Sequence, residues 1–337
     1  MKERLVYVDQ MKGIAILLVV MGHLIGYNVG YNETVEFIYS FHMPLFFMIS
    51  GYLGHKTTHV VSLKTYGKFL KKKFIGLMLP FLFWSMIAEK YFLQSEWHIP
   101  ALSDISEAIL VWNRLWFLKT LFLILVIYGL THWMAKSFVR QKLSFVMDIL
   151  FFLLVASGLS VGILAIDTHF FSSLLLYTAF FYAGMFIAKY NRIEQLTMHQ
   201  YTFAGSVILL LIWVGHWNLE GVVIDKIYKC IISPMAYITI LNICRRISWN
   251  PKVSDQFVLF GKYSLVIYIV HFYFVTFMNY EPVIDMDLNP FILMILSVVV
   301  SVMIAYLCIG FAKLMECSHI LNFLMFGKQM PAKTTHT

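Results

Sequence analysis

Lys12 and His23 lie eleven residues apart within one apolar run. Eleven residues of α-helix make just over three turns, so both side chains project from one face, about 16 Å apart along the axis. An ionisable group at membrane depth is costly unless it has partners or lines a wet cavity, so each one is a functional candidate. A neutral imidazole serves as a general base near pH 7, and a cation at the mouth of the same helix can hold an anionic cofactor. The position alone equally allows a packed histidine bonded to a neighbouring helix. His271, deep in a later apolar run behind Gly261-Lys262-Tyr263-Ser264 and Tyr268, carries the same two readings. His42 falls near the outer mouth of the second run, where Pro44 implies a kink or a late helix start and Ser50-Gly51 permits close helix approach.

Around these stand groups suited to anions or interfaces. Lys71, Lys72 and Lys73 end an inner loop that can grip phosphates, or equally serve topology and anionic lipid. Arg114 and Trp116 open the fourth run at the outer interface, where an aromatic belt accounts for a tryptophan without further function. The four cysteines (Cys230, Cys244, Cys308, Cys317) make no CxxC pair. Neither a metal site nor a disulfide framework is expected.

The elements that must position these residues follow from composition. Of 337 residues, 60% are hydrophobic and only 13% charged, with a mean hydropathy of +0.75. Soluble domains carry about 25% charged residues, so the bilayer must be the solvent. Apolar stretches recur at 12–29, 36–53, 74–93, 115–133, 143–165, 170–188, 201–218, 222–243, 257–278 and 290–312, each long enough to cross about 30 Å of hydrocarbon. With the N-terminus inside, the inner segments hold 21 of the 26 Lys and Arg residues. One missed helix would invert every later loop, so this partition supports the map. The expected fold is an all-α integral membrane bundle of about ten helices with both termini cytoplasmic. Residues 1–326 form one transmembrane domain and 327–337 a short disordered tail. The net charge of +8 is spread over short loops between apolar runs, which excludes nucleic acid as its reason. No small-x-small cleavage site follows the first run, so it is read as a retained helix.

Arg4, Asp9, Lys12-Gly13 and His23, followed by His42-Met43-Pro44-Leu45-Phe46-Phe47 and the Phe47-x-x-Ser50-Gly51 element, resemble the acyltransferase family 3 membrane enzymes, with the fucose 4-O-acetylase-like branch nearest. Trp116-Phe117-Leu118 and the run Gly261, Tyr263-Ser264-Leu265, Tyr268, His271 extend the likeness. Two positions depart from the family pattern. Lys12 stands where many relatives carry Arg, which keeps the charge but loses the bidentate fork. Gly76 stands where a second basic residue is usual before Pro80.

The resemblance implies transfer of an acyl group from acetyl-CoA, or another acyl-CoA, to a hydroxyl of an extracytoplasmic glycan or lipid-linked saccharide at a bacterial inner membrane. The acyl-CoA is a substrate, and no permanently bound cofactor is expected. On this reading His23 and His271 are catalytic. Lys12, Lys71, Lys72, Lys73 and Trp116 hold the donor. Asp9, His42, Ser50, Arg114, Ser264 and Tyr268 serve the substrate. His23 either deprotonates the acceptor or takes the acyl group and passes it on, while Ser264 or Tyr268 helps an oxyanion. His271 orients a substrate. The competing function is a transporter or flippase, which shares buried histidines but calls for paired halves or more buried carboxylates.

Overall fold

A computed structural model describes residues 5–28, 30, 33–86, 115–138, 143–166, 169–213, 222–277 and 290–328. Helices account for the regular structure among them: α1 (Val6–Asn28), α2 (Glu33–Thr57), α3 (Leu63–Lys73), α4 (Leu79–Leu82), α5 (Trp116–Phe138), α6 (Ser144–Ile166), α7 (His169–Lys189), α8 (Asn191–Thr197), α9 (Gln200–Trp213), α10 (Val222–Arg246), α11 (Pro251–Lys262), α12 (Ser264–Thr276), α13 (Pro290–Met315) and α14 (His319–Phe326). Among the described residues, seven helices are long and apolar enough to cross a membrane, or up to nine if each of two bent pairs counts as one span. The chain is a multi-pass membrane protein.

The spans expected at 201–218 and 257–278 differ in form. The first is α9, preceded by α8 at a 56° bend, and the second is the pair α11–α12, bent by 82°. The break falls at Gly261-Lys262-Tyr263-Ser264, where the more polar α11 gives way to the apolar α12. Of the expected span 74–93, residues to Met86 are described. It begins as a π-helical turn, Phe74–Met78, which runs into α4 with Pro80 in its first turn. Proline cannot donate the regular backbone bond, and the wider turn accommodates that loss. Arg114, most of the loop 279–290 and the tail 329–337 lie outside the described residues.

Two compact units divide the described chain: residues 1–56 with 180–311, and residues 57–179 with 312–337. In the first unit, glycines let helix backbones meet. A Cβ at Gly13 would collide with the Phe257 carbonyl oxygen, and one at Gly261 with the Asp9 carbonyl oxygen, so α1 and α11 touch backbone to backbone. The same reciprocity joins α2 to the later part of α7, where Gly51 faces the Phe181 carbonyl and Gly184 the Met48 carbonyl. Without a hydrophobic drive between helices in lipid, such close approach is the main source of helix association. Gly51 of the Ser-Gly element is therefore a packing residue.

Polar bonds lock the same unit. Pro44, inside α2, lacks the N–H that would bond the Ser40 carbonyl four residues back. Ser233 Oγ of α10 donates to that oxygen instead, at 3.2 Å, so the carbonyl freed by the proline is satisfied by a neighbour. Ser206 and Thr239 join α9 to α10 at 2.8 Å, and Asn242 Nδ2 donates to the Thr197 carbonyl at 2.8 Å.

In the second unit α3 lies on α5. Tyr66 Oη donates to the Val126 carbonyl at 3.0 Å, and Gly129 leaves room for the Tyr66 and Phe69 rings. Trp84 Nε1 donates to the Met325 carbonyl at 3.0 Å, tying the end of the α4 segment to α14. Gly327 ends α14 in the left-handed region at φ 62°, against the Ile75 carbonyl.

Candidate active site

The first unit brings His23 of α1, Tyr39 and His42 of α2 and His271 of α12 into a single row. The His23 and His271 rings have centroids 5.3 Å apart, inclined by 34°. Tyr39 stands 5.7 Å from His23 on one side and 5.0 Å from His42 on the other. Phe272 closes edge-on against His23 at 5.8 Å. His271 and His42 are buried, and His23 is half-buried.

Backbone geometry sets the tautomers. His271 Nδ1 lies 2.8 Å from the Ile267 carbonyl, and His42 Nδ1 lies 2.8 Å from the Ile38 carbonyl. A carbonyl only accepts, so both Nδ1 atoms carry hydrogen and each neutral ring keeps its lone pair on Nε2. The His271 Nε2 is shielded from water and has no partner among the described residues. A buried acceptor left unmatched costs about 1–3 kcal/mol, and such a group in a native site calls for an explanation. A substrate hydroxyl beside His23 would supply the missing donor.

His23 is held differently. Its Nδ1 meets Tyr39 Oη at 3.0 Å. When the phenol oxygen accepts from Nδ1–H, the His23 Nε2 lone pair also becomes a base. Gly22 makes room for this contact, since a Cβ there would lie 2.7 Å from Tyr39 Cε1. Tyr39 is absent from the sequence reading because nothing in its spacing separates it from the other 18 tyrosines.

The remaining candidates are distributed. Lys12 pairs with Asp9 at 2.8 Å, and Asp9 is only 4% exposed. Asp9 thus fixes the lysine at the start of α1, three turns from His23. Tyr268 is buried with its ring 6.3 Å from that of His271. Ser264 opens α12 about 10 Å below His271 by helical rise. Ser50 is half-buried, two turns beyond His42 on α2. Lys229 of α10, half-buried, lies within electrostatic range of His42. The three histidines do not converge as metal ligands: no cluster suited to an ion occurs among the described residues.

Lys71, Lys72, Lys73 and Trp116 belong to the second unit. Lys71 and Lys72 are exposed at the end of α3. Lys73 lies over the Phe69 ring at 5.5 Å, and burial, reinforced by Lys72, pushes its ammonium below the ordinary lysine range. The Trp116 ring lies 4.9 Å from that of Tyr177, tilted by 35°. Close by in sequence, Lys119 is 1% exposed, with its Nζ 5.8 Å from the Phe81 centroid. In the sequence its only signal is a charge inside an apolar run.

With this geometry in place, comparison with known proteins identifies the class. The acyltransferase domain of the acyltransferase family 3 matches residues 5–310, and the chain belongs to that family. It is a membrane acyltransferase. Among curated proteins it is similar to the nodulation protein NolL of Sinorhizobium fredii, 34% identical over 114 residues, which cover 32% of this chain and 29% of that protein. It is also similar to NolL of Mesorhizobium japonicum, 40% identical over 84 residues, or 23% of this chain and 21% of the relative. The matches thus span less than a third of either relative's length. No solved structure matches significantly.

Proposed function

We propose that the protein transfers an acetyl group from acetyl-CoA, presented at the cytoplasmic face, to a hydroxyl of an extracytoplasmic glycan or lipid-linked sugar in a bacterial inner membrane. The fucose 4-O-acetylase-like activity belongs to this proposal, as do the cytoplasmic termini. One observation carries it: the buried His271 Nε2 lone pair without a partner, beside the His23 ring. Two imidazoles at this separation can address one hydroxyl.

His271 Nε2 accepts the hydroxyl hydrogen, and the pair takes up the proton as the oxygen attacks the thioester carbonyl carbon. The tetrahedral intermediate then collapses, the C–S bond breaks, and the leaving thiolate recovers the proton from the imidazolium. Tyr39 holds the His23 ring for this exchange. Tyr268, beside His271, and Lys229, within electrostatic range of His42, would balance developing negative charge. Lys12, anchored by Asp9, attracts the polyanionic donor, and Lys71, Lys72 and Lys73 at the end of α3 offer a separate patch of positive charge for polyanions. Trp116, Arg114, His42 and Ser50 remain candidates for donor or acceptor contact.

Purified protein in detergent, given radiolabelled acetyl-CoA, should release CoA and label an acceptor. Mass spectrometry of surface glycans with and without the gene should show one acetyl mass on a defined sugar. No donor turnover and no glycan change would remove the proposal in favour of a transporter.

A further inference from the structure

A second polar space lies in the first unit, away from the histidines. It is a cavity of about 510 Å³ lined by Tyr7, Gln10, Cys244, Arg245, Trp249 and Ser254, where the start of α1 meets the end of α10 and the start of α11. Ligand pockets commonly enclose about 300–1,000 Å³.

Several of its lining side chains are held by neighbours. Gln10 is 3% exposed and donates from Nε2 to Ser254 Oγ at 2.9 Å. The Arg245 guanidinium lies over the Tyr7 ring at 4.7 Å, and its Nη1 donates to Glu194 at 2.8 Å. Trp249 meets Phe257 edge-on at 5.2 Å. Its indole N–H is shielded from water with no acceptor among the described residues. Arg245, Arg246 and Lys252 outnumber Glu194 and Asp255 in this stretch, so the surroundings are net positive. The α11 N-terminus, with Asn250 as its cap, adds the positive end of a twelve-residue helix.

We propose that this cavity binds the phosphorylated adenosine end of the donor coenzyme, with the base against Trp249 and phosphate at Arg245. The proposal rests on the acyl-CoA reading above and deepens it. A lipid headgroup offers the same phosphate chemistry but no flat base for aromatic and guanidinium planes to stack on. The spacing agrees as well. Gln10 precedes His23 by thirteen residues, about 20 Å of helical rise, a gap of the order that coenzyme A's pantetheine arm spans between adenosine and thioester. The donor's head is thereby assigned to α1, α10 and α11, with Lys71, Lys72 and Lys73 outside this pocket.

The test is calorimetric titration of adenosine 3′,5′-bisphosphate into the full chain in phosphatidylcholine nanodiscs. Trp249→Ala should weaken binding at least about tenfold, since base–aromatic stacking and a hydrogen bond are both lost. Trp249→Phe, which keeps a ring and the fold, should weaken it several-fold. KM for acetyl-CoA should rise in parallel with kcat unchanged, while S-acetylpantetheine, which lacks the adenosine, should be used equally by all three proteins. Equal bisphosphate affinity in wild type and both variants, or none in wild type, would overturn the site. So would displacement of the bisphosphate by phosphatidylglycerol, which would assign the pocket to lipid phosphate. Trp249-dependent binding in a protein that transfers no acyl group would uphold the pocket and remove the acyltransfer reading. Transfer with an unchanged KM in both variants would do the reverse.

Discussion

Substituting Gly13 with alanine should damage catalysis from about 15 Å away, since ten residues of helix separate it from His23. The added Cβ would collide with the Phe257 carbonyl oxygen and lie 2.9 Å from its carbon and 3.1 Å from Phe257 Cα. Ordinary carbon contacts begin near 3.5 Å, so α1 and α11 must part by on the order of 1 Å. Backbone cannot rotate aside as a side chain can, and overpacking of this kind costs about 1–3 kcal/mol. Because α11 leads directly into α12, the displacement is transmitted to His271 and thus to its spacing from His23. A misplacement of about 1 Å can cost about a hundredfold in rate. Gly205 in α9 is the control, with nothing within 4 Å of its Cβ position. Gly205→Ala should be neutral, or stabilising by up to about 1 kcal/mol through helix propensity. The assay pairs thermal unfolding in detergent with acetyl transfer at saturating donor. A Gly13→Ala protein that melts and turns over like wild type would refute the argument that this crossing sets the site.

His23→Asn should insert and bind donor yet lose at least about a hundredfold in turnover, because an amide cannot take up a proton near pH 7; steady-state kinetics on the purified variant decide it. His271→Asn should fall by a comparable factor, since it removes an Nε2 lone pair that has no partner among the described residues; retained turnover would return His271 to an orienting role. Tyr39→Phe keeps the ring and loses the bond to His23 Nδ1, so kcat should drop about tenfold and its pH profile should shift, with KM for the donor unchanged. Ser233→Ala leaves the Ser40 carbonyl without its donor and should cost about 1 kcal/mol in unfolding, read as a lower melting temperature.

The sequence showed much of this architecture because a bilayer permits few solutions. The apolar runs at 12–29, 36–53, 143–165 and 290–312 correspond to α1, α2, α6 and α13, since each must satisfy its backbone internally over about 20 residues. His23 and His271 stood out for the same reason: a titratable group inside an apolar run is visible without a structure. Three features were not legible. Tyr39 acts through a hydroxyl whose direction depends on how α1 and α2 meet. Gly13 and Gly261 are a reciprocal pair, but nothing in one chain position reveals which distant carbonyl it will face. The break at Tyr263 coincides with a change from the polar α11 to the apolar α12, but that change does not give the angle at which one helix leaves the other.

That break is what makes a site out of two isolated histidines. The segment Ser254 to Gly261 touches α1 at Gln10, Gly13 and Asp9, with Gln10 meeting Ser254, Gly13 meeting Phe257 and Asp9 meeting Gly261. The order along α1 is not the order along α11, so the two helices cross rather than run side by side. A straight continuation from Gly261 would carry His271 about 15 Å sideways, while His23 lies about 21 Å further along α1 than Asp9. The two rings would then be roughly 25 Å apart, too far to share any hydroxyl. The 82° bend between α11 and α12 turns the chain so that α12 lies along α1, and the ring separation closes to 5.3 Å. The polar, partly exposed character of α11, with Lys252, Asp255, Gln256 and Lys262, suits a helix that crosses α1 instead of burying itself beside it. The glycine crossing sets where α11 meets α1, and the bend sets where α12 departs. Together these two backbone features bring a base-competent His271 to His23.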